Sequence, residues 1–275
     1  MTAVRTRWAI AVGLAAVAAV FLLPQVWLLS LSLKTKAAVY EFPPRWLPSE
    51  PTFGNYLFAL SGTQVPWYLL NSVKVAALAA LLTMIAGVPA AFALSRDRFR
   101  GRGVMLAALL AVQMLSPVVL LLPIYELMDA MRLIDTHLGL VLVYAAIQTP
   151  FTVWVLKNFF DALPPAIFEA ARLDGASRLR TLRSIALPLV GPGLASVAIF
   201  NLAAYWSEFA LALVLLDSQA HFTVPVGVFN LQSGYETEWQ IVAAASFIGL
   251  APMMAAFLVL QRYFIAGLTA GAVKG

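Results

Sequence analysis

The sequence predicts an all-α integral membrane protein with six transmembrane helices. Three observations carry that prediction. Six apolar runs of about 20 residues or more recur along the chain, each long enough to cross a bilayer as a helix. Only 11% of the 275 residues are charged and 62% are hydrophobic, where a soluble domain would carry about 25% charged residues. No run alternates with the period of two that a membrane barrel requires. The polar surface is too small for a globule in water, so the chain reads as one transmembrane domain, residues 1–275.

The expected spans are Trp8–Leu33, Tyr68–Leu94, Val104–Met128, Leu138–Phe160, Gly191–Leu216 and Ile241–Phe264. Arg5 and Arg7 precede the first, as in a secretory signal. Its apolar run exceeds the roughly 7–15 residues of a cleavable signal core, which favours a retained anchor. Pro24, Pro89, Pro117, Pro123, Pro150 and Pro252 fall inside spans, where neighbouring helices can satisfy the carbonyls that a proline frees. The segment Lys34–Trp67 holds Phe42-Pro43-Pro44, Leu47-Pro48 and Glu50-Pro51, so it is expected to be extended and turn-rich. Asp217–Gln240 has no Lys or Arg and carries Tyr235 and Trp239. It is expected to be an outer loop, either solvated or a docking surface for an external partner. No internal repeat is visible, which removes one support for an ion-coupled secondary transporter.

Charge sets the expected orientation. With the N-terminus inside, thirteen basic residues fall on the inner side: Arg5, Arg7, Arg96, Arg98, Arg100, Arg102, Lys157, Arg172, Arg178, Arg180, Arg183, Arg262 and Lys274. Only Lys34, Lys36, Arg45 and Arg132 fall outside, and Lys74 lies within a span. Basic residues hold loops on the cytoplasmic side, so both termini are expected in the cytoplasm of a plasma-membrane protein. Lys74, near the start of the second span, is expected to snorkel to the outer surface.

The most polar inner segment runs from Glu169 to Pro188, inside the loop 161–190. It reads as two short helices joined by a tight turn. Pro164 and Pro165 end the incoming helix and can open the next. Ile167, Phe168, Ala171 and Leu173 give an apolar face. Asp174-Gly175 is a turn, with Gly suited to a left-handed residue past a helix end. Arg178, Arg180 and Arg183 follow, and Leu187-Pro188 closes the segment.

Motifs for chemistry are missing. There is no GxxxxGK[ST], HExxH or GxSxG, so neither a phosphate loop nor a hydrolase centre is expected. There is no cysteine, and His137 and His221 lie far apart in the sequence, so no metal site and no cofactor are expected. The Gly101–Gly103 and Gly191–Gly193 pairs lack the strand that a nucleotide fingerprint needs. Glu208 is the clearest ionisable residue within a span. A carboxylate at mid-span costs on the order of 2.5–3.5 kcal/mol, so it should face water or a partner helix. Asn201, Tyr205 and Glu208 are spaced four and three and share one helix face. They are the candidate pathway, with an interhelical packing bond as the plain alternative. Tyr125, Tyr144 and Trp154 are expected to be interface anchors or core.

The loop pattern EAA-x3-G-x9-I-x-LP, complete at residues 169–188, resembles the signature of permease subunits of bacterial and archaeal ATP-binding-cassette importers. Phe42-Pro43-Pro44, Phe53-Gly54-Asn55-Tyr56, Asn71-Ser72, Arg132–Thr136 with Gly139-Leu140, Trp206–Phe209 and the terminus Gly267–Gly275 are similar to the carbohydrate-uptake branch. Within it they look closest to the smaller membrane subunit of maltose importers. Ser207 departs from the pattern, since Asn is common between this Trp and Glu. The resemblance implies the six-helix type I importer permease architecture and a sugar-import role, with a permease for glycerol-3-phosphate or another polar solute as the alternative. It implies a second, related permease subunit, two ATPase subunits that carry all hydrolysis, and an extracytoplasmic sugar-binding protein, with no catalysis by this chain and no nucleic acid. Surrounding lipid completes its partners. Glu169, Ala170, Ala171, Asp174, Gly175, Leu187 and Pro188 would form the ATPase-coupling segment, the alanines allowing close approach. The tail 265–275, with Gly271 and Lys274, would reach the ATPase pair.

Overall fold

In a computed structural model, residues 2–97, 99–232 and 237–272 are described, with side-chain surroundings for Trp8 and for residues 10–259 within those ranges. All regular structure among the described residues is helical. The long helices are α1 (Thr2–Ser32), α4 (Val65–Arg96), α7 (His137–Asp161) and α13 (Trp239–Ala272). Between them lie α2 (Lys36–Val39), α3 (Gly54–Ser61), α5 (Arg102–Gln113), α6 (Leu121–Ala130), α8 (Pro165–Leu173), α9 (Arg178–Leu189), α10 (Gly191–Ser207), α11 (Ala210–Leu215) and α12 (Val224–Asn230).

Four stretches are long and apolar enough to cross a membrane: Ile10–Ser32, Val65–Arg96, His137–Asp161 and Trp239–Val259. The pair α9 and α10, bent by 82°, is a fifth if it is read as one span. The stretch 104–128 is not one continuous helix. It is α5 and α6, separated by turns around Ser116-Pro117, where Val119 N–H donates to Ser116 O at 3.0 Å. Pro117 has no N–H to continue the α ladder and disfavours a helical residue before it. Lys34–Trp67 also differs from an extended segment, because it contains α2 and α3. Thr35 opens α2 by accepting from Ala38 N–H at 3.4 Å, and Asn55 anchors α3 by donating to the carbonyls of Ser32 and Lys34, both at 2.8 Å. Asp217–Gln240 contains a 3₁₀ turn at Gln219–His221 and then α12.

The chain divides into two compact units. The first is Met1–Pro66 with Gly227–Ala251. There, buried Lys34 donates to Arg45 O at 2.6 Å and lies 4.6 Å over the Trp27 ring, which itself meets Trp46 edge-on. Lys36 pairs with Glu238 at 3.6 Å. The second unit is Trp67–Val226 with Pro252–Gly275. Its core at one end joins Val88, Ala91 and Leu94 of α4, Val153, Leu156 and Phe160 of α7, Phe168 of α8, Leu182 and Ala186 of α9, and Val197 of α10. Small residues let these helices approach. A Cβ at Gly193 would lie 2.5 Å from the Phe159 ring, so α10 and α7 touch where only glycine fits.

Candidate functional site

The candidate site is the joint formed by α8, α9 and the ends of α4 and α7. α7 stops at Asp161, and Pro165 starts α8 within its first turn. α8 ends in a Schellman arrangement: Ala176 N–H donates to Ala171 O at 2.9 Å and Gly175 N–H to Arg172 O at 3.1 Å. That closure needs a left-handed residue, and Gly175 supplies it with φ +72°. Ser177 then caps α9, accepting from Arg180 N–H at 3.3 Å. The middle of α9, Thr181–Ala186, widens to a π turn in which Leu187 N–H donates to Leu182 O. Pro188 explains the widening: its ring clashes with the carbonyl four residues back and it has no N–H to place there.

The two faces of α8 are unlike. Phe168 and Ala171 are buried in the core and Ile167 packs against it. Glu169, Ala170 and Leu173 are exposed, Leu173 by 90%. The expected apolar face thus lacks Leu173, and only Ala170 of the two alanines is available for close approach by another chain. Asp174, Gly175 and Pro188 are exposed and Leu187 is half-buried.

Arg96 clamps this joint. Its guanidinium donates to Phe160 O and, at 3.2 Å, to Leu163 O, and sits 3.9 Å from the Phe168 ring. The carbonyls at the end of α7 carry partial negative charge, which suits a cation. Ser95 Oγ donates to Asp161 Oδ1 at 2.6 Å, and Lys157 pairs with the same carboxylate. Arg178 pairs with Asp97 at 2.7 Å, tying α9 to the chain beyond α4. The clamp was not read from the sequence, although Arg96 at a span end and an aromatic within the loop are both visible there.

The three candidate pathway residues separate. Asn201 is fully buried, and its Nδ2 donates to Thr152 Oγ1 of α7 at 2.9 Å, an interhelical bond. Tyr205 and Glu208 instead line a cavity of about 130 Å³ with Pro117, Tyr144, Ile147 and Gln148. Tyr144 and Tyr205 stack with centroids 5.4 Å apart. Tyr205 shares a 2.7 Å hydrogen bond with Thr83. Glu208 falls at the break between α10 and α11. Its carboxylate accepts from Tyr144 OH at 2.7 Å, Leu211 N–H at 2.9 Å and Ala212 N–H at 3.1 Å, so it also caps α11.

His137 and His221, distant in sequence, stack edge-on with centroids 5.1 Å apart. Lys74 Nζ lies 3.2 Å from His137 Nδ1, so it meets a side chain rather than extending freely. His137 Nε2 faces His221 O at 3.0 Å. His221 Nδ1 reaches Asp135 at 3.1 Å and Ser218 Oγ at 3.1 Å. Among the described residues no group of three His, Asp or Glu is placed to hold a metal ion. Gly271 lies in the backbone of α13, whose helix continues to Ala272, and Lys274 lies outside the described residues.

Three comparisons show what this chain is similar to in sequence and fold. The family described as "Binding-protein-dependent transport system inner membrane component" matches residues 59–269. A sulfoquinovosyl glycerol transport system permease protein of Agrobacterium fabrum is 34% identical over 254 residues, 92% of this chain and 89% of that one. A trehalose/maltose transport system permease protein of Thermococcus litoralis is 36% identical over 229 residues, 82% of each chain. A trehalose transport system permease protein of Mycobacterium tuberculosis is 33% identical over 231 residues, 83% of this chain and 84% of that one. The fold matches a crystal structure of a bacterial ABC transporter involved in import of the acidic polysaccharide alginate, with a TM-score of 0.80, 24% identity, and coverage of 94% of this chain and 96% of that one. The family match spans most of the chain and the relatives are similar over more than four-fifths of it; this multi-pass membrane protein therefore belongs to the binding-protein-dependent transport system inner membrane components, the permease subunits of ATP-binding-cassette importers.

Proposed function

We propose that the chain is a permease subunit of an ATP-driven sugar importer. It pairs with a second, related permease in the plasma membrane, rests on two ATPase subunits, and receives sugar from an extracytoplasmic binding protein. It crosses the membrane six times with both termini in the cytoplasm. α8 is the coupling helix. Sugar is favoured as cargo because relatives named for trehalose, maltose and sulfoquinovosyl glycerol are similar over most of their length.

The observation that carries the reading is the division of α8 into a locked face and an open one. Phe168 and Ala171 are held in the core with α4, α7, α9 and α10, while Glu169, Ala170 and Leu173 stand free. A helix fixed on one side and open on the other transmits a push as a rigid body. Closure of the ATPase pair would move α8 and, through Arg96 and the shared core, turn α4 and α7. That motion opens the pathway beside Tyr205 and Glu208 to the outside, and hydrolysis resets it. The tail, with Gly271 and Lys274, completes the contact with the ATPase pair. The loop 217–240 meets the binding protein; its residues 233–236 lie outside the described ones.

The test uses the assembled transporter. Leu173→Glu and Ala170→Arg alter only the open face. Both are expected to abolish sugar-stimulated ATPase activity while leaving the permease pair intact. Normal stimulation in both variants would sink the proposal.

A further inference from the structure

A second feature of the joint is a cavity of about 160 Å³ on the flank of α8. Arg96, Arg172 and Arg178 line it, with Asp97 as the one carboxylate among its described lining residues and Phe92 and Phe168 as apolar wall. The three guanidiniums come from α4, α8 and α9. Arg178 is shared with Asp97. Arg172 meets no acceptor among the described residues, and Arg96 Nε is buried without one. Asp161 also acts on Arg96 but is shared with Lys157, so among the described residues four cations face two carboxylates and two positive charges are left unmatched.

Position limits what supplies them. α4 ends here at Arg96, and α7 ends alongside, Ser95 donating to Asp161. Two helices long and apolar enough to cross a membrane thus end beside it, as a site at headgroup depth requires. Guanidinium forks match phosphate oxygens in pairs, and basic pockets between helix ends take phosphate headgroups. The phenyl rings suit the apolar stem of such a ligand.

We propose that this cavity binds a phosphate group, the headgroup phosphate of an anionic phospholipid or a free phosphate. Arg172 and Arg178 grip it and Arg96 closes the wall. Asp97 competes with the ligand for Arg178. The site stands on its own geometry and survives even if α8 docks no ATPase.

Native mass spectrometry of the purified transporter complex, titrated with short-chain phosphatidylglycerol, short-chain phosphatidylcholine or inorganic phosphate, tests it. Phosphatidylglycerol is expected to bind in preference to phosphatidylcholine. The double variant Arg172→Gln/Arg178→Gln should weaken that binding roughly tenfold, the worth of one or two charge-assisted bonds. Arg183→Gln, whose side chain lines a different groove, should leave it unchanged. Asp97→Asn should strengthen it several-fold, a gain that misfolding does not mimic. Inorganic phosphate binding with the same dependence on the three residues would identify free phosphate as the ligand. Binding of either probe that ignores the arginines, or that Asp97→Asn fails to raise, overturns the site.

Discussion

The guanidinium of Arg96 lies 3.9 Å from the ring of Phe168 while donating to the carbonyls of Phe160, at the end of α7, and Leu163, just beyond it. One side chain therefore fastens α4 and α7 to α8. The planar fork does what a lysine cannot: it stacks and makes two directed bonds at once.

Removing either partner should loosen the joint. Phe168→Ala empties a buried aromatic site and is expected to cost about 3–5 kcal/mol. Arg96→Lys keeps the charge but loses the fork, and should cost about 1–3 kcal/mol, the price of unpaired buried carbonyls. Thermal denaturation of the purified protein ranks them, Phe168→Ala being the lower. If Arg96→Lys melts with the wild type, the clamp is not structural.

Gly175 separates strain from crowding. Its φ is +72° and nothing lies within 4 Å of where a Cβ would stand. Space is open, so the cost of a side chain is backbone strain alone, about 1–2 kcal/mol for an ordinary residue and less for Asn, which tolerates the left-handed region. Gly175→Asn should retain stability and Gly175→Val should lose it. In an assembled transporter whose ATPase docks on α8, as proposed, docking would add a steric demand that the isolated chain does not have. If α8 meets an ATPase there, Gly175→Asn should lower sugar-stimulated ATPase activity without lowering the melting temperature.

Much of this joint was legible in the sequence because it is local. Proline at the start of α8, Gly175 at its end and Ser177 before α9 act through backbone groups a few residues away. The apolar face of α8 was read only in part. Leu173 follows Phe168 by five residues and Ala171 by two, which puts it on the opposite side of a 3.6-residue helix, beside Glu169 and Ala170, so it is exposed. The 104–128 stretch read as one span because hydropathy counts apolar residues and does not see that Pro117 interrupts the ladder. The pairing of His137 with His221 was invisible for a different reason. It depends on how α7 and the 217–223 segment pack, and no periodicity records that. Asn201 and Glu208 share a helix face in projection, but α10 ends at Ser207, and the two side chains answer to different neighbours.

That separation gives a paired prediction. Asn201→Ala removes an interhelical bond worth about 0.6 kcal/mol on average in membrane proteins. A double-mutant cycle with Thr152→Ala should return a coupling of that size, with transport retained. Glu208→Gln is more damaging. Its two oxygens accept from three donors, and an amide offers one acceptor and brings donors of its own. The loss is expected to be about 1–3 kcal/mol. Tyr144→Phe, which removes a single donor, should be milder than Glu208→Gln in both melting temperature and uptake. The reverse order would count against the cap on α11.

Asp135 predicts how acid acts on the 217–223 segment. Burial alone would push its carboxyl up. The Ser218 hydroxyl and N–H, His221 and the Asp217 N–H all donate to it and hold it instead well below the usual carboxylate range. The folded protein thus binds this proton less readily than the unfolded chain. The stabilisation is fully present above the unfolded value of about 3.9 and is lost as pH falls from there through the lower folded value. Between pH 5 and 8 this carboxylate should contribute no pH dependence. Hydrogen exchange across residues 217–223 reads the effect directly: protection should hold to about pH 4 and then fall. Asp135→Asn should lose that protection already at neutral pH, since the amide offers one acceptor where the carboxylate offers two. A wild-type profile that loses protection well above pH 4 would count against Asp135 as the origin of the segment's acid response.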